Sequence, residues 1–325
     1  MWLMANGLIY GVLLDGDGGG KTLDWSGVKS WKAEMGELWL HLDYSVYEVK
    51  EWLFHESCLD VSVAETLLST ESRPRFSILD SGVLMAWRGV NLNPAAEPDD
   101  MVAIRMWREE GRLITTLQRD LRSIDEVVNA LAKGRGPKTV GELLVDIADK
   151  MVWKIGELVD GFDEGMSELE GRVIENVNSS LKSELSVLRR EVISLRRYIG
   201  PQREALMRFS VEKLNWLEQN DRILLREVVD RITRALEELE ALRERASVTQ
   251  EELQNRISEE LNNRMYVLSV ITAIFLPLGF LTGLLGINVG GIPGADNPSA
   301  FKYFILGLIV LIVLQLILFK WRKWF

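Results

Sequence analysis

The chain has 325 residues and a formal net charge of −10, with 38 Lys and Arg against 48 Asp and Glu. An acidic surface repels phosphate, so this composition argues against a nucleic-acid partner. The single Cys excludes an intrachain disulfide and fits a reducing compartment. Residues 1–264 carry 34 Lys and Arg against 47 Asp and Glu, which predicts a large soluble part followed by a small apolar one.

Residues 1–135 alternate strand-like runs with turns. Apolar and β-branched runs bounded by Gly, Asp or Pro are typical of strands, and helical patterns fall between them at residues 45–54 and 62–68. The region therefore predicts an α+β domain of the α/β/α type. The predicted strands are residues 8–14, 37–42, 75–79, 82–87, 101–107 and 112–117.

Two short patterns in this domain invite a functional interpretation. His55 and Cys58 could supply two zinc ligands, but two ligands do not make a site, and the other His in the chain is His41. An ordinary, partly buried Cys is the competing interpretation. Residues 15–22 have Asp where a phosphate-binding loop needs its first Gly, so we expect a turn between strands there.

Residues 136–246 predict a cytosolic helical hairpin. The apolar period is helical over residues 140–199, and we expect Gly200-Pro201 to break the helix so that residues 202–245 run back. The spacing of Thr249 and Glu252 is that of a capping box and predicts a new helix start. Residues 247–264 should then form a stalk helix continuous with the segment that follows.

The C-terminal residues predict two transmembrane helices. Residues 265–287 contain no charge and span about 34 Å as a helix, enough to cross a bilayer core, and residues 302–319 form a second apolar run. The connecting loop, residues 288–301, has no Lys or Arg, whereas Arg264 precedes the first run and the basic tail, residues 320–325, follows the second. The positive-inside rule then places both termini in the cytoplasm. We expect no signal peptide, since no basic stretch precedes an apolar core near Met1.

One sector of the first span carries small and apolar side chains when the helix is drawn at about 100° per residue. Small residues on one face commonly let transmembrane helices pack closely, and a pore lining is the alternative. The sector contains Met265, Leu268, Thr272, Leu276, Gly279, Gly283 and Gly286.

The first span ends in Gly286-Ile287-Asn288, followed by Val-Gly-Gly-Ile-Pro. In this position the motif resembles the Gly-x-Asn signature of the CorA-type two-transmembrane metal-ion transporters. The Ile and the residues after Asn288 resemble the ZntB zinc-transporter branch, rather than the magnesium channels with Met there. The resemblance implies a CorA-like funnel, a homopentamer in the bacterial inner membrane with the first spans around a pore, and zinc transport. Uptake, proton symport and efflux are the modes it leaves open, and we expect inward movement.

In such a ring, Asn288 amide oxygens would accept hydrogen bonds from the water around a cation without removing that water. Neither span contains the His, Cys, Asp or Glu that bind dehydrated zinc. We therefore expect hydrated Zn²⁺, or alternatively Cd²⁺, Ni²⁺ or Co²⁺, to pass apolar rings of Met265, Leu268 and Leu276, with no resident cofactor. Asp296 is either an outer cation attractor or a solvated turn residue. Proton coupling would need groups outside the spans.

Two other classes of function compete with transport. A membrane-tethered coiled-coil sensor or scaffold would explain the long helices and the basic tail, but not the Gly-Ile-Asn motif at the end of the first span. An enzyme is disfavoured, because neither His lies near a matched nucleophile in the sequence and no acid pair stands out.

Overall fold

A computed structural model of the chain divides into two compact units, Met1–Glu251 and Glu252–Phe325. The larger unit holds a β-sheet and most of the helices, and the smaller holds the end of one long helix and a second, apolar helix. The structure describes residues 5–70, 73–93, 96, 100–175, 178–287, 292, 294 and 297–322.

The described strands of the larger unit form a single mixed sheet. In chain order they are β1 (Leu8–Leu14), β2 (Gly20–Thr22), β3 (Leu38–Asp43), β4 (Arg75–Leu79), β5 (Gly82–Val90), β6 (Met101–Glu109) and β7 (Arg112–Leu117). The spatial order is β2-β1-β3-β7-β6-β5-β4, with β3 and β7 parallel and the other neighbours antiparallel. All six predicted strands are confirmed. Strand β2 was missed because its three residues are exposed and carry no alternating apolar pattern.

The glycine-rich segment between β1 and β2 is a turn, as predicted. The Asp15 carboxylate accepts hydrogen bonds from the backbone N–H groups of Asp17 at 2.8 Å and Gly19 at 2.9 Å. These bonds hold the pKa of Asp15 below its usual value. The carboxylate thus occupies the backbone donors that a phosphate group would need.

Helices cover both faces of the sheet. On one face lie α1 (Trp25–Ser30), α2 (Tyr47–Glu51) and α3 (Val61–Leu68), whose apolar side chains share a core with Leu40 and Trp107. A π-helical turn, Trp52–Glu56, continues α2. The chain then forms α4 (Arg122–Ala132), α5 (Val140–Glu175) and α6 (Ser179–Val211). On the second face, the ring of Phe209 in α6 lies 5.5 Å from that of Phe76 and 6.0 Å from that of Trp87. The α/β/α prediction is confirmed.

The predicted helix break at Gly200-Pro201 was wrong. Helix α6 runs through Pro201, and α5 ends earlier, at Glu175. Gln202 explains why α6 continues, because its side chain is buried and accepts a 2.6 Å hydrogen bond from the backbone N–H of Arg88 in β5. Packing against the sheet therefore outweighs the cost of one missing helical hydrogen bond.

The next turn of the chain lies between α6 and α7 (Gln219–Leu285). The Arg222 side chain donates to the carbonyls of Glu212 and Leu214, and the Asp221 carboxylate accepts from the N–H of Glu218 at 3.1 Å. Burial raises the pKa of Asp221. These polar groups close the turn without the Gly or Pro that sequence reasoning relied on.

The predicted helix start at Thr249 was also wrong, because Thr249 lies inside the 67-residue helix α7 and is buried. A similar spacing at Thr139 and Glu142 does begin a helix. There the Thr139 hydroxyl accepts from the Glu142 N–H at 3.1 Å, and the Glu142 carboxylate accepts from the Lys138 N–H at 2.7 Å. The expected continuity of residues 247–264 with the apolar segment agrees with α7.

Candidate functional site

The smaller unit contains two helices long and apolar enough to cross a membrane, the C-terminal part of α7 and α8 (Ala300–Trp321). A core helix of a soluble protein would pass the same test of length and composition, but it would be mostly buried. Here only 6% of the apolar window of α7 and none of that of α8 is buried. So much exposed apolar surface fits lipid or another subunit.

One face of α7 in this unit is covered. Val270 is buried, and a further set of residues along the same face is half-buried. The backbone carbonyl of Ala273 on this face accepts a 3.3 Å hydrogen bond from Nε2 of Gln315, so α8 lies against it. The half-buried residues are Ala273, Ile274, Pro277, Leu278 and Leu281.

The predicted small-residue sector lies on the opposite side of α7, about half a turn away at 100° per residue. In the single chain its large members are open, with exposed fractions of 66% for Met265, 65% for Leu268 and 67% for Leu276. Thr272 is exposed too, and its hydroxyl donates to the Leu268 carbonyl at 2.8 Å. We call this face the open stripe, defined by Met265, Leu268, Thr272, Leu276, Gly279 and Gly283.

The glycines of the open stripe are not explained by packing within the chain. A Cβ atom added at Gly279 or Gly283 would meet no described atom within 4 Å. At Gly286, in contrast, a Cβ would lie 2.8 Å from the Thr282 carbonyl oxygen, where α7 ends. Packing against α8 therefore does not require small residues at Gly279 and Gly283.

The Gly-Ile-Asn motif follows the end of α7. Gly286 donates its N–H to the Gly283 carbonyl at 3.3 Å, and Ile287 is 49% exposed. Asn288 and Asp296 lie outside the described residues, so their predicted roles stay predictions.

His55 and Cys58 lie on the surface of the larger unit. Cys58 is exposed, which corrects the expectation of a partly buried thiol, and its backbone has a left-handed φ of 61°. His55 is also exposed, with Nε2 3.9 Å from a Glu51 carboxylate oxygen. Among the residues that the structure describes, no group of three or more His, Cys, Asp or Glu could hold a metal ion. A two-ligand zinc site here remains a hypothesis without a third described ligand.

Two cavities of the larger unit differ in charge. One of about 690 Å³ is lined by Arg73, Arg190, Arg196, Arg197 and Arg203 but a single acid, Glu204, so its charge opposes a metal cation. The other, of about 490 Å³, lies between α5 and α7 and is acidic. Its charged lining residues are Asp160, Asp163, Glu164 and Glu238.

The acidic cavity is partly neutralised by the ion pairs that join α5 to α7. Arg245 of α7 contacts Asp163 at 2.5 Å and Glu170 at 2.7 Å. The Arg245 guanidinium holds the pKa of Glu170 below its usual range. Asp163 thus contributes to helix packing in this unit, and the described geometry does not assemble the acids around a cation.

The open stripe, the membrane-length helices and the soluble α/β/α unit define a membrane protein with two C-terminal spans. The chain belongs to the CorA-like Mg²⁺ transporter family, whose family model matches residues 35–322. It is therefore a member of a family of metal-ion transporters and not an enzyme, and the family match favours transport over the tether alternative.

Relatives under two names support this assignment. The divalent cation transporter CmaX of Pseudomonas aeruginosa is 41% identical over 300 residues, which cover 91% of this chain and 90% of that protein. The zinc transport protein ZntB of Pectobacterium carotovorum is 36% identical over 310 residues, or 95% and 94% of the two chains. The solved structure of full-length CmaX matches with a TM-score of 0.86 and 37% identity over 98% of each chain.

The sequence pattern located the open stripe but missed the covered face and Gln315. The covered positions repeat at helical spacing from Val270 to Leu281, a signal that was available in the sequence. Aliphatic side chains occupy much of the first span, however, so periodicity alone does not say which face meets a neighbour. Gln315 was detectable as an amide within an aliphatic run.

Proposed function

We propose that this chain transports divalent cations, zinc foremost, into the cytoplasm across a bacterial inner membrane, as a homopentamer. The observation that carries the proposal is the open stripe of α7, which is exposed in the single chain while α8 lies against the opposite face. Five copies arranged with this stripe inward would enclose a pore lined by apolar and small residues. The remaining exposed surface of both helices would face lipid or adjacent subunits.

The chemistry of the spans favours a hydrated ion. No His, Cys, Asp or Glu occurs from Met265 to Ile287, so a dehydrated zinc ion would find none of its usual ligands there. Rings of Met265, Leu268 and Leu276 would form apolar constrictions that gate by dewetting. At the outer end, Asn288 carbonyl groups would accept hydrogen bonds from the hydration water, and Asp296 would raise the local cation concentration.

The identity of the metal rests on similarity to named relatives. One curated relative is named as a divalent cation transporter and another as a zinc transport protein. Ile287, where the magnesium channels have Met, supports zinc for this chain. Cd²⁺, Ni²⁺, Co²⁺ and Mg²⁺ have hydrated forms of similar size and are the alternatives that a flux assay must compare.

The direction follows from electrostatics. An inside-negative membrane potential favours entry of a divalent ion by about 4.6 kcal/mol per 100 mV, twice the value for a single charge. Proton symport would need carboxylate or imidazole groups in the outer loop or the cytosolic part, because the first span contains no Asp, Glu or His.

The orientation that fits this direction has both termini in the cytoplasm. Arg264 lies before the apolar part of α7, and Lys320 and Arg322 lie at the end of α8. Residues 288–301 between the spans contain no cation. This asymmetry is what the positive-inside rule requires.

Thiol accessibility tests the pore assignment. In a Cys58→Ser background, we expect Leu276→Cys to let a charged, membrane-impermeant thiosulfonate block zinc flux into proteoliposomes, because the reagent enters the pore from water. Phe280→Cys is the matched control, since Phe280 is 66% exposed and Leu276 is 67% exposed, yet Phe280 lies off the stripe. Block at Phe280→Cys with none at Leu276→Cys would contradict the assignment of the open stripe to the pore.

A further inference from the structure

A proline interrupts the hydrogen bonding of α7 within its apolar part. Pro277 lies inside the helix and has no backbone N–H, so the carbonyl of Ala273, four residues earlier, cannot receive its helical hydrogen bond from residue 277. A carbonyl left without a donor in an apolar environment is costly. Pro277 follows Leu276 of the open stripe directly, so any change in helix bend at this point moves the stripe.

Hydroxyl groups of α7 do not supply the missing donor. Ser269 donates to the Met265 carbonyl at 2.8 Å, and Thr272 donates to the Leu268 carbonyl at 2.8 Å. The Thr282 hydroxyl contacts the Leu278 carbonyl at 2.9 Å. Each of these bonds goes to a carbonyl one turn before the hydroxyl, and none reaches Ala273.

The donor comes from the other helix. Nε2 of Gln315 in α8 donates to the Ala273 carbonyl at 3.3 Å. The amide oxygen Oε1 of Gln315 is buried and has no hydrogen-bond partner among the described residues. Residues 304–319 are otherwise apolar, so an aliphatic residue would avoid the cost of burying this oxygen. The amide is instead matched to the Ala273 carbonyl, whose helical donor Pro277 removes.

We propose that Gln315 is a positioning residue for transport. It bonds the Ala273 carbonyl that Pro277 leaves free, restrains α7 at the proline and thereby sets the geometry of the pore at Leu276. The inference rests on the proposed function, because it assigns a pore to the open stripe. Without the bond, α7 is less restrained at Pro277 and spends less time in the conducting geometry.

A double-mutant cycle tests this role. Gln315→Met keeps the length of the side chain but cannot donate, and Pro277→Ala restores the backbone N–H so that Ala273 no longer needs an outside donor. We expect Gln315→Met to lower the maximal zinc flux in proteoliposomes by about three- to fifteenfold. This fold-change corresponds to the free energies measured for interhelical hydrogen bonds in membranes. The zinc concentration for half-maximal flux should stay unchanged, and in the Pro277→Ala background the same substitution should change maximal flux by less than about twofold.

Controls separate this inference from the proposed function. Leu316→Met changes the next residue of α8, which is exposed, and should leave flux unchanged. Absence of zinc flux in the wild-type protein would overturn the proposed function and the inference with it. Wild-type flux together with an equal loss from Gln315→Met in both backgrounds would overturn the inference alone.

Gln315→Met could fail to form the wild-type oligomer on size-exclusion chromatography. In that case the assembly of a double variant tests the inference. The Pro277→Ala, Gln315→Met double variant should then recover the oligomer and its flux, because the unsatisfied carbonyl is the fault that Pro277→Ala repairs. Failure of the double variant as well would show that Gln315 acts independently of the proline break and would overturn the inference.

Discussion

His41 is a buried imidazole whose tautomer follows from its neighbours. Its Nδ1 lies 2.7 Å from the Thr115 hydroxyl oxygen, which donates its own hydrogen to the Leu40 carbonyl at 3.0 Å and accepts from the indole N–H of Trp39 at 3.0 Å. With the hydroxyl hydrogen on the Leu40 carbonyl, the tautomer that fits this geometry carries its hydrogen on Nδ1 of His41. Burial lowers the pKa of His41 to about 3, and the folded protein therefore holds a neutral ring.

This neutral ring makes stability depend on pH. The pKa of His41 is about 3 in the folded chain, below the ordinary value of 6.5, so its contribution is complete above pH 6.5 and is lost as the pH falls toward 3. We expect wild-type stability to fall by up to about 1.4 kcal/mol per pH unit between pH 6.5 and pH 3 from this residue alone. His41→Asn retains a donor near Nδ1 but cannot titrate. Thermal unfolding at pH 7.5 and pH 5.0 should show that His41→Asn loses less stability at the acidic pH than the wild type does. An equal loss of stability in both proteins would contradict the buried neutral ring.

At the scale of elements, α6 shows how packing overrides a local signal. Arg88 lies beyond the part of β5 that pairs with β4, which ends at Ala86, so its backbone N–H needs another acceptor. Gln202 supplies that acceptor one residue after Pro201. The sheet thus holds α6 directly after the proline, and the helix continues where propensity alone predicts an end.

We expect Gln202→Met to destabilise the chain by about 1–3 kcal/mol, because it removes the acceptor of a partly buried backbone N–H group. Pro201→Ala is the matched control at the adjacent position, and it should not lower stability, since it adds a helical N–H and removes a ring. The measurement is the melting temperature of each variant and of the wild type under the same conditions. Destabilisation by Pro201→Ala that exceeds that of Gln202→Met would mean that Pro201, and not Gln202, stabilises this part of the fold.

Elements with a strong local pattern were predictable from the sequence, and those set by distant contacts were not. Alternation and turn residues located β1, β4 and β7 to the residue, and the uncharged runs located the spans. The turn before α7 depends on Arg222 and Asp221 reaching groups up to ten residues away, which no local pattern reveals. The residues of the candidate site show the same difference between local and distant signals. Helical periodicity found the open stripe, but the bond between Gln315 and Ala273 joins residues 42 positions apart.

At the scale of the whole molecule, the distribution of charge and the exposed apolar surface both fit the proposed pore. Residues 1–264 are strongly acidic, and the segment that contains the spans is almost uncharged. In the proposed pentamer this acidic part would lie in the cytoplasm and, repeated fivefold, would draw cations toward the inner end of the pore. The outer end would depend on Asn288 and Asp296 in the proposed pentamer.

Zinc entry into proteoliposomes at clamped voltage tests the central claim most directly, with a zinc reporter and a pH reporter inside the vesicles. We predict that zinc enters and that entry quickens as the lumen is made more negative. The pH reporter distinguishes a channel from symport, because symport would acidify the lumen in step with zinc under an inward proton gradient. Absence of flux for zinc and every other divalent cation tried, or outward zinc movement at equal metal and inside-negative potential, would contradict the account.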